Sequence, residues 1–233
     1  MCIRDRPNAD MGGMIESKNK KFKWYGGHPM LHRDIYYLVA GLAKRMTKGT
    51  ILEIGTYSGG GTVMVASALH KNPNNPNIDF IAVEKGDITQ VAAGKDQYYY
   101  CTKNLTSAIG TDLRNYVDYK RCEASDIKIE SRLQSLNPIE LLIIDADGNL
   151  ADQLEQYLPY CADGCILVID DYWMCTQYDG LKGPTVRACI NELVAEGILK
   201  VVSLLHFSTI ILQYGNKNSL GKLEYMPEYG TTK

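Results

Sequence analysis

Four short apolar runs constrain this chain most, because each stops at an acid or a glycine. Thr50–Ile54 is followed by Gly55, Ile78–Val83 by Glu84, Leu141–Ile144 by Asp145 and Cys165–Ile169 by Asp170. Leu141–Ile144 and Cys165–Ile169 are apolar throughout, the pattern of strands covered on both faces. Helix-like segments lie between the runs. Leu31, Ile35, Leu38, Val39, Leu42 and Met46 recur at helical spacing and predict an amphipathic helix over about 29–47. Gly59–Gly61 open a second helix running to about His70, and further helices are expected over 90–109 and 149–160. A last one is marked by Val186, Ile190, Leu193 and Val194, with Pro184 suited to its first turn. Val117–Cys122 reads as one more strand. Lys200–Leu205 and Thr209–Gln213 stand too close for a crossover helix, which parallel neighbours need, so they form a hairpin. The expected fold is α/β: an open seven-stranded sheet, mostly parallel, with a terminal antiparallel hairpin and helices on both faces.

Composition narrows the class. The chain has 233 residues, 45% of them apolar, with 25 Lys+Arg against 27 Asp+Glu and a net charge of −2. That length suits one domain, expected over residues 24–214, between a flexible polar tail at 1–23 and a polar tail at 215–233. The charge balance argues against a nucleic-acid partner, whose phosphates call for a basic excess. No apolar run nears the roughly 18 residues of a spanning helix, and residues 1–23 lack the apolar centre of a signal peptide. No membrane contact is expected. Seven cysteines, an odd set without paired short spacings, fit reduced thiols in a cytoplasmic protein. Cys161 and Cys165 lack a second Cys/His pair at finger-like spacing, so zinc is not expected.

In an open α/β sheet, ligands bind beyond the carboxyl ends of the strands. The stretch Glu53-Ile-Gly55-Thr-Tyr57-Ser58-Gly59-Gly60-Gly61-Thr62 offers a tight turn, close backbone approach and free helix N–H groups. Its glycine spacing is neither the dinucleotide fingerprint nor a phosphate-binding P-loop. What remains suits a nucleoside without a pyrophosphate, and the two oxygens of Glu84 can accept from both ribose hydroxyls. The sequence IIDADGNL sets Asp145 and Asp147 at one strand end, and ILVIDDYW sets Asp170 and Asp171 at another. Adjacent strands are about 4.8 Å apart, so these carboxylates converge, repel one another and invite a hard divalent cation such as Mg²⁺. Strand residues alternate in direction, so Asp170 and Asp171 can share an ion only if the chain turns between them.

These motifs resemble the class I S-adenosylmethionine-dependent methyltransferases, from about Gly49 to Gln213, which implies a Rossmann-like sheet. ILEIGTYSGGGT is similar to the first motif of that class and IAVEKGD to the second. The resemblance implies that Glu53, Gly55, Tyr57 and Gly59 surround the methionine part of the donor, with Ser58 and Asp145 also among the cofactor-binding residues. Glu84 would take the ribose, with Ala124 and Ser125 near the adenine. Within the class, IDADGNL and LPYCADGCILVIDDYW resemble the metal-dependent O-methyltransferases, above all the macrocin-type family that methylates sugar hydroxyls. That likeness implies Mg²⁺ held by Asp145, Asp170 and Asp171, Asp147 as the base, and a small-molecule hydroxyl acceptor. Two departures stand out: Gly148 occupies the place of the lysine base of the catechol-type enzymes, and no aromatic or histidine lies near Asn149–Leu150. Rival readings are a nicotinamide oxidoreductase, a non-catalytic binding protein of this fold, and a methyltransferase of RNA or protein. A homo-oligomer is compatible with all of these. Trp24, Tyr25 and His28 are candidates for a lid or a staple on the first helix, and Trp173 for a wall of the acceptor pocket.

Overall fold

The computed structural model describes residues 31–86, 96–107, 111–145, 150–172, 182–205 and 208–215. Asp147, Gly148, Trp24, Tyr25, His28, Trp173 and both expected tails, Gly215 apart, lie outside the described residues.

The elements run α1 (Arg33–Arg45), β1 (Gly49–Ile54), α2 (Gly60–His70), β2 (Ile78–Glu84), α3 (Gln97–Ser107), β3 (Asp118–Arg121), α4 (Ile127–Leu133), β4 (Ile139–Ile144), α5 (Leu150–Tyr157), β5 (Cys161–Ile169), α6 (Lys182–Ala195), β6 (Leu199–Leu205) and β7 (Thr209–Tyr214). The sheet has seven strands in the order β3-β2-β1-β4-β5-β7-β6. The first five are parallel, and β7 is antiparallel to both β5 and β6. The expected seven-stranded Rossmann-like sheet with its terminal hairpin is therefore the fold observed. Among the described residues no helix is long and apolar enough to cross a membrane.

The unbroken apolar strands earn their composition by facing two cores. Leu141 and Ile143 of β4 pack with α1, α2 and α3 on one side, while Leu142 and Ile144 pack with α4, α5 and α6 on the other. Strands β1, β2, β5 and β7 repeat this period-two division, as Ile51 and Leu52 do in β1. The α2 helix is apolar nearly all round, and Gly60 through Leu69 are all buried, because α1 covers the face that the sheet does not.

The α4 helix was not among the expected elements. It is short, and its signal is an N-cap: Asp126 accepts from Lys128 N at 2.9 Å, ahead of Ile129 and Leu133, both buried. The helix expected to end at residue 160 stops at Tyr157, and a single 3₁₀ turn, Leu158–Tyr160, carries Pro159 into β5. Strand β5 begins at Cys161, four residues earlier than its apolar run, through a register irregularity against β4.

Candidate functional site

The carboxyl ends of four neighbouring strands form one rim, stitched by backbone bonds. Gly55 N donates to Val83 O at 3.0 Å, Asp145 N to Ile54 O at 2.9 Å and Asp170 N to Ile144 O at 3.0 Å. Glu84, Gly55, Asp145 and Asp170 therefore stand side by side, in the order of β2, β1, β4 and β5. A narrow cleft opens over the middle of this rim. Glu53, Gly55, Tyr57, Gly61, Tyr36 and Asp145 are among the residues lining it.

The loop after β1 turns by left-handed residues. Gly55 (φ 81°), Tyr57 (φ 51°) and Gly59 (φ 91°) all lie in that region, which only glycine adopts without strain. Tyr57 is held there by the carboxylate of Glu84. Glu84 Oε2 accepts from Thr56 N at 3.0 Å and Tyr57 N at 2.9 Å, and Oε1 accepts from Gly86 N at 3.0 Å. Glu84 is thus buried against three backbone amides, and most of its accepting capacity is in use within the protein. Among the described residues, Oε2 accepts from two amides of the loop and Oε1 from one, and the expected ribose contact would add to these bonds. Asn104 Nδ2 of α3 fixes the far side of the loop, donating to Ser58 O at 2.8 Å.

Glu53 is fully enclosed one turn below. Its carboxylate accepts from Thr62 Oγ1 at 2.7 Å, and burial pushes its pKa up to about 8; the nearby charge of Glu84 adds to the rise, while the Thr62 bond opposes it. A Cβ at Gly61 would sit 2.3 Å from Glu53 Oε1, so a larger residue there would displace that carboxylate. Gly59 is equally constrained, because its Cβ would lie 2.5 Å from Cys101 Sγ. Tyr36 from α1 closes the cleft: its hydroxyl accepts from Leu31 N at 3.1 Å. Burial raises the Tyr36 pKa, with smaller contributions from the charges of Asp145, Glu53 and Asp170. Ala124 and Ser125 follow β3, half-buried and exposed respectively, with Ala124 O accepting from the Tyr157 hydroxyl of α5.

On the other half of the rim the acids converge. Asp145, Asp170 and Asp171 each bring a carboxylate oxygen within 4.8 Å of the other two. Asp170 and Asp171 are buried, and Asp145 is half-buried. Consecutive strand residues would point to opposite faces, but Asp171 is left-handed (φ 63°), so the chain turns between the pair. Asp170 is anchored from β7: its Oδ1 accepts from Thr209 Oγ1 at 2.7 Å and from Ser208 Oγ.

Sequence reasoning singled out neither Tyr36, Ser208 nor Thr209. Tyr36 sits next to an expected core position of α1, where an aromatic residue reads as packing. Ser208 lies in the hairpin link and Thr209 opens β7, and only the strand order brings them to β5.

The comparisons with known proteins agree with this geometry. A family model described as a methyltransferase domain matches residues 52–172. No curated protein matches the chain. Among solved structures, an O-methyltransferase of Streptomyces achromogenes involved in tomaymycin synthesis, in complex with S-adenosylmethionine, is similar at 16% identity, covering 80% of this chain and 82% of that one, with a TM-score of 0.60. A TDP-rhamnose 3'-O-methyltransferase of calicheamicin biosynthesis is similar at 17% identity, 80% and 82% coverage and a TM-score of 0.59. An O-methyltransferase of Bacillus cereus in complex with S-adenosylhomocysteine follows at 14% identity, 80% and 83% coverage and a TM-score of 0.58. At these identities the structural likeness is one of fold. The matched segment starts inside β1 and ends just after the Asp170–Asp171 turn, so it spans both halves of the rim and more than half of the chain. The chain belongs to the methyltransferase-domain family and carries its class I fold.

Proposed function

We propose that the protein is an S-adenosylmethionine-dependent O-methyltransferase acting on a hydroxyl of a small molecule, a sugar or similar diol, with Mg²⁺ as a helper. The observation that carries this reading is the meeting of Asp145, Asp170 and Asp171 within 4.8 Å beside the glycine loop. An all-carboxylate donor set suits a hard cation, whose oxygen shell spans about 4–5 Å. Asp145, Asp170 and Asp171 would hold the ion. When bound, Mg²⁺ supplies Lewis acidity and a template for vicinal substrate oxygens.

The remaining chemistry belongs to the protein's own residues. The left-handed loop lets the donor approach the backbone of Gly55 and Gly59, with Tyr57 and Ser58 alongside. Glu53 offers the donor's ammonium group a carboxyl that ionises when a cation arrives, because an opposite charge lowers a pKa raised by burial. Glu84 takes one ribose hydroxyl through Oε1, and Ala124 and Ser125 border the base. Asp145 lines the same cleft as the loop, so an acceptor held by the acids lies beside the sulfonium methyl group. In the transfer the methyl group passes from sulfur to the acceptor oxygen, the sulfur keeps its bonding pair, and the hydroxyl proton goes to Asp147.

Transfer of a labelled methyl group from S-adenosylmethionine to a panel of sugars and diols tests the reading, with and without EDTA and with Asp145→Ala. Transfer that EDTA and the substitution both abolish is the expected result. Undiminished transfer in both removes the metal, and no transfer to any hydroxyl acceptor overturns the assignment.

A further inference from the structure

We infer that Ser208, in the link between β6 and β7, and Thr209, the first residue of β7, are positioning residues that aim the carboxylates of Asp170 and Asp171 at one point; the inference rests on reading the three acids as a cation site. The antiparallel register pairs Ile169 with Ile210, so Thr209 and Ser208 lie across from Asp170 and Asp171 where the two strands end. Two hydroxyls, from Ser208 and from Thr209 at 2.7 Å, donate to Asp170 Oδ1. An ionised carboxylate oxygen offers about two lone-pair sites, so Oδ1 is filled and Oδ2 is the atom with capacity for an outside ligand.

Ser208 acts a second time through its backbone. Its carbonyl accepts from Tyr172 N at 2.8 Å. One residue thus grips the residue before Asp171 with its side chain and the residue after it with its main chain. Between those two grips Asp171 adopts φ 63°, an unfavourable region for a residue with a Cβ. The turn is pinned from the opposite side as well: Arg187 Nη1 of α6 donates to Tyr172 O at 3.0 Å, and the Tyr172 hydroxyl donates to Asn191 Oδ1 at 3.3 Å. Without the Ser208 grip, Asp171 relaxes toward extended geometry and its carboxylate swings to the other face of the sheet. The antiparallel hairpin therefore does more than cap the sheet. It supplies the hydroxyls and the carbonyl that convert two alternating strand residues into a convergent pair.

The test is Mn²⁺ titration of the full chain, followed by the electron paramagnetic resonance of free Mn²⁺, for wild type, Ser208→Ala, Thr209→Val and Thr209→Ser. Affinity for S-adenosylhomocysteine, measured calorimetrically on the same samples, reports whether the rest of the rim is intact. The expected result is Mn²⁺ binding weakened about 10- to 100-fold in Ser208→Ala and Thr209→Val, as for other groups that orient metal ligands. Thr209→Ser keeps the hydroxyl and stays near wild type, and S-adenosylhomocysteine affinity is unchanged in all. If Ser208→Ala does not fold, the Thr209→Val and Thr209→Ser pair decides. Wild-type binding with indifferent variants, or a fall in Mn²⁺ affinity matched by S-adenosylhomocysteine, overturns the positioning role alone. A wild type that takes up no Mn²⁺ overturns the cation reading, and the positioning role with it.

Discussion

The two halves of the rim treat the same raw material in opposite ways. On the β1–β2 side, Glu84 accepts from amides of the loops after β1 and β2, and Glu53 accepts from the Thr62 hydroxyl of α2. On the β4–β5 side, three aspartates are pushed together until their oxygens lie within 4.8 Å. A buried acid with its own donors is a structural brace that shapes a loop. Acids gathered against their mutual repulsion need a positive partner to be stable. The contrast teaches that an acid at a strand end has no fixed meaning: Glu84 gathers the amides of its loop, whereas Asp170, with hydroxyl donors of its own, stands among other acids.

The largest expected effect tests the cluster side. If the aspartates bind the cation, Asp170→Asn lowers methyl transfer by about 10²-fold or more, comparable to losing a group that stabilises developing charge, while urea unfolding changes little. A large loss of stability with activity preserved would make Asp170 a brace like Glu84. On the loop side, Gly59→Ala is expected to unfold more readily, by about 1–3 kcal/mol. It sets a Cβ in a left-handed residue and 2.5 Å from Cys101 Sγ. Urea denaturation checks this, and an unchanged midpoint would mean that the loop and α3 can part at no cost.

A smaller effect, in pH dependence, sharpens the picture of Glu53. Its pKa rises from 4.5 to about 8 on folding, so the folded state binds the proton that the unfolded state has already released. Stability is therefore highest below pH 4.5 as far as this group is concerned, falls as pH rises through 4.5 to 8, and levels off beyond. Glu53→Gln removes that decline. Unfolding midpoints at pH 6 and pH 9 should converge in the variant, by an amount on the order of a few kcal/mol. The same decline in both proteins would assign it to another group. The smallest change is Asp126→Ala, which removes the cap of α4 and costs about 1 kcal/mol, readable as a shift in the urea midpoint without loss of donor binding.

How much of this was legible in the sequence follows the same division. The sheet was readable because four strands end in acids or glycine and the last two stand too close for a crossover; periodicity alone carries that information. The nearness of Asp145 to Asp170 was expected from neighbouring strand ends, whereas the strand order that also sets Asp145 beside Gly55 came from the structure. The turn between Asp170 and Asp171 was visible only as a requirement, since no glycine or proline marks it; the grip of Ser208 supplies it from a strand link. Glu84 was legible as a carboxylate at a strand end, but the amides it accepts from were not, because Thr56 and Tyr57 lie in the loop of a different strand. The α4 helix escaped because its seven residues, with Ile127, Ile129 and Leu133 as the apolar ones, are too few to establish a period.

The central claim is that donor and cation sit together, one over the glutamate half of the rim and one over the aspartate half. Its most direct measurement is the proton resonance spectrum of S-adenosylhomocysteine bound to the protein as Mn²⁺ is added. The account predicts strong paramagnetic broadening of the homocysteine and ribose protons in the wild type, abolished in Asp171→Ala although the nucleoside still binds. Sharp nucleoside signals at saturating Mn²⁺, or broadening that survives Asp171→Ala, would contradict it.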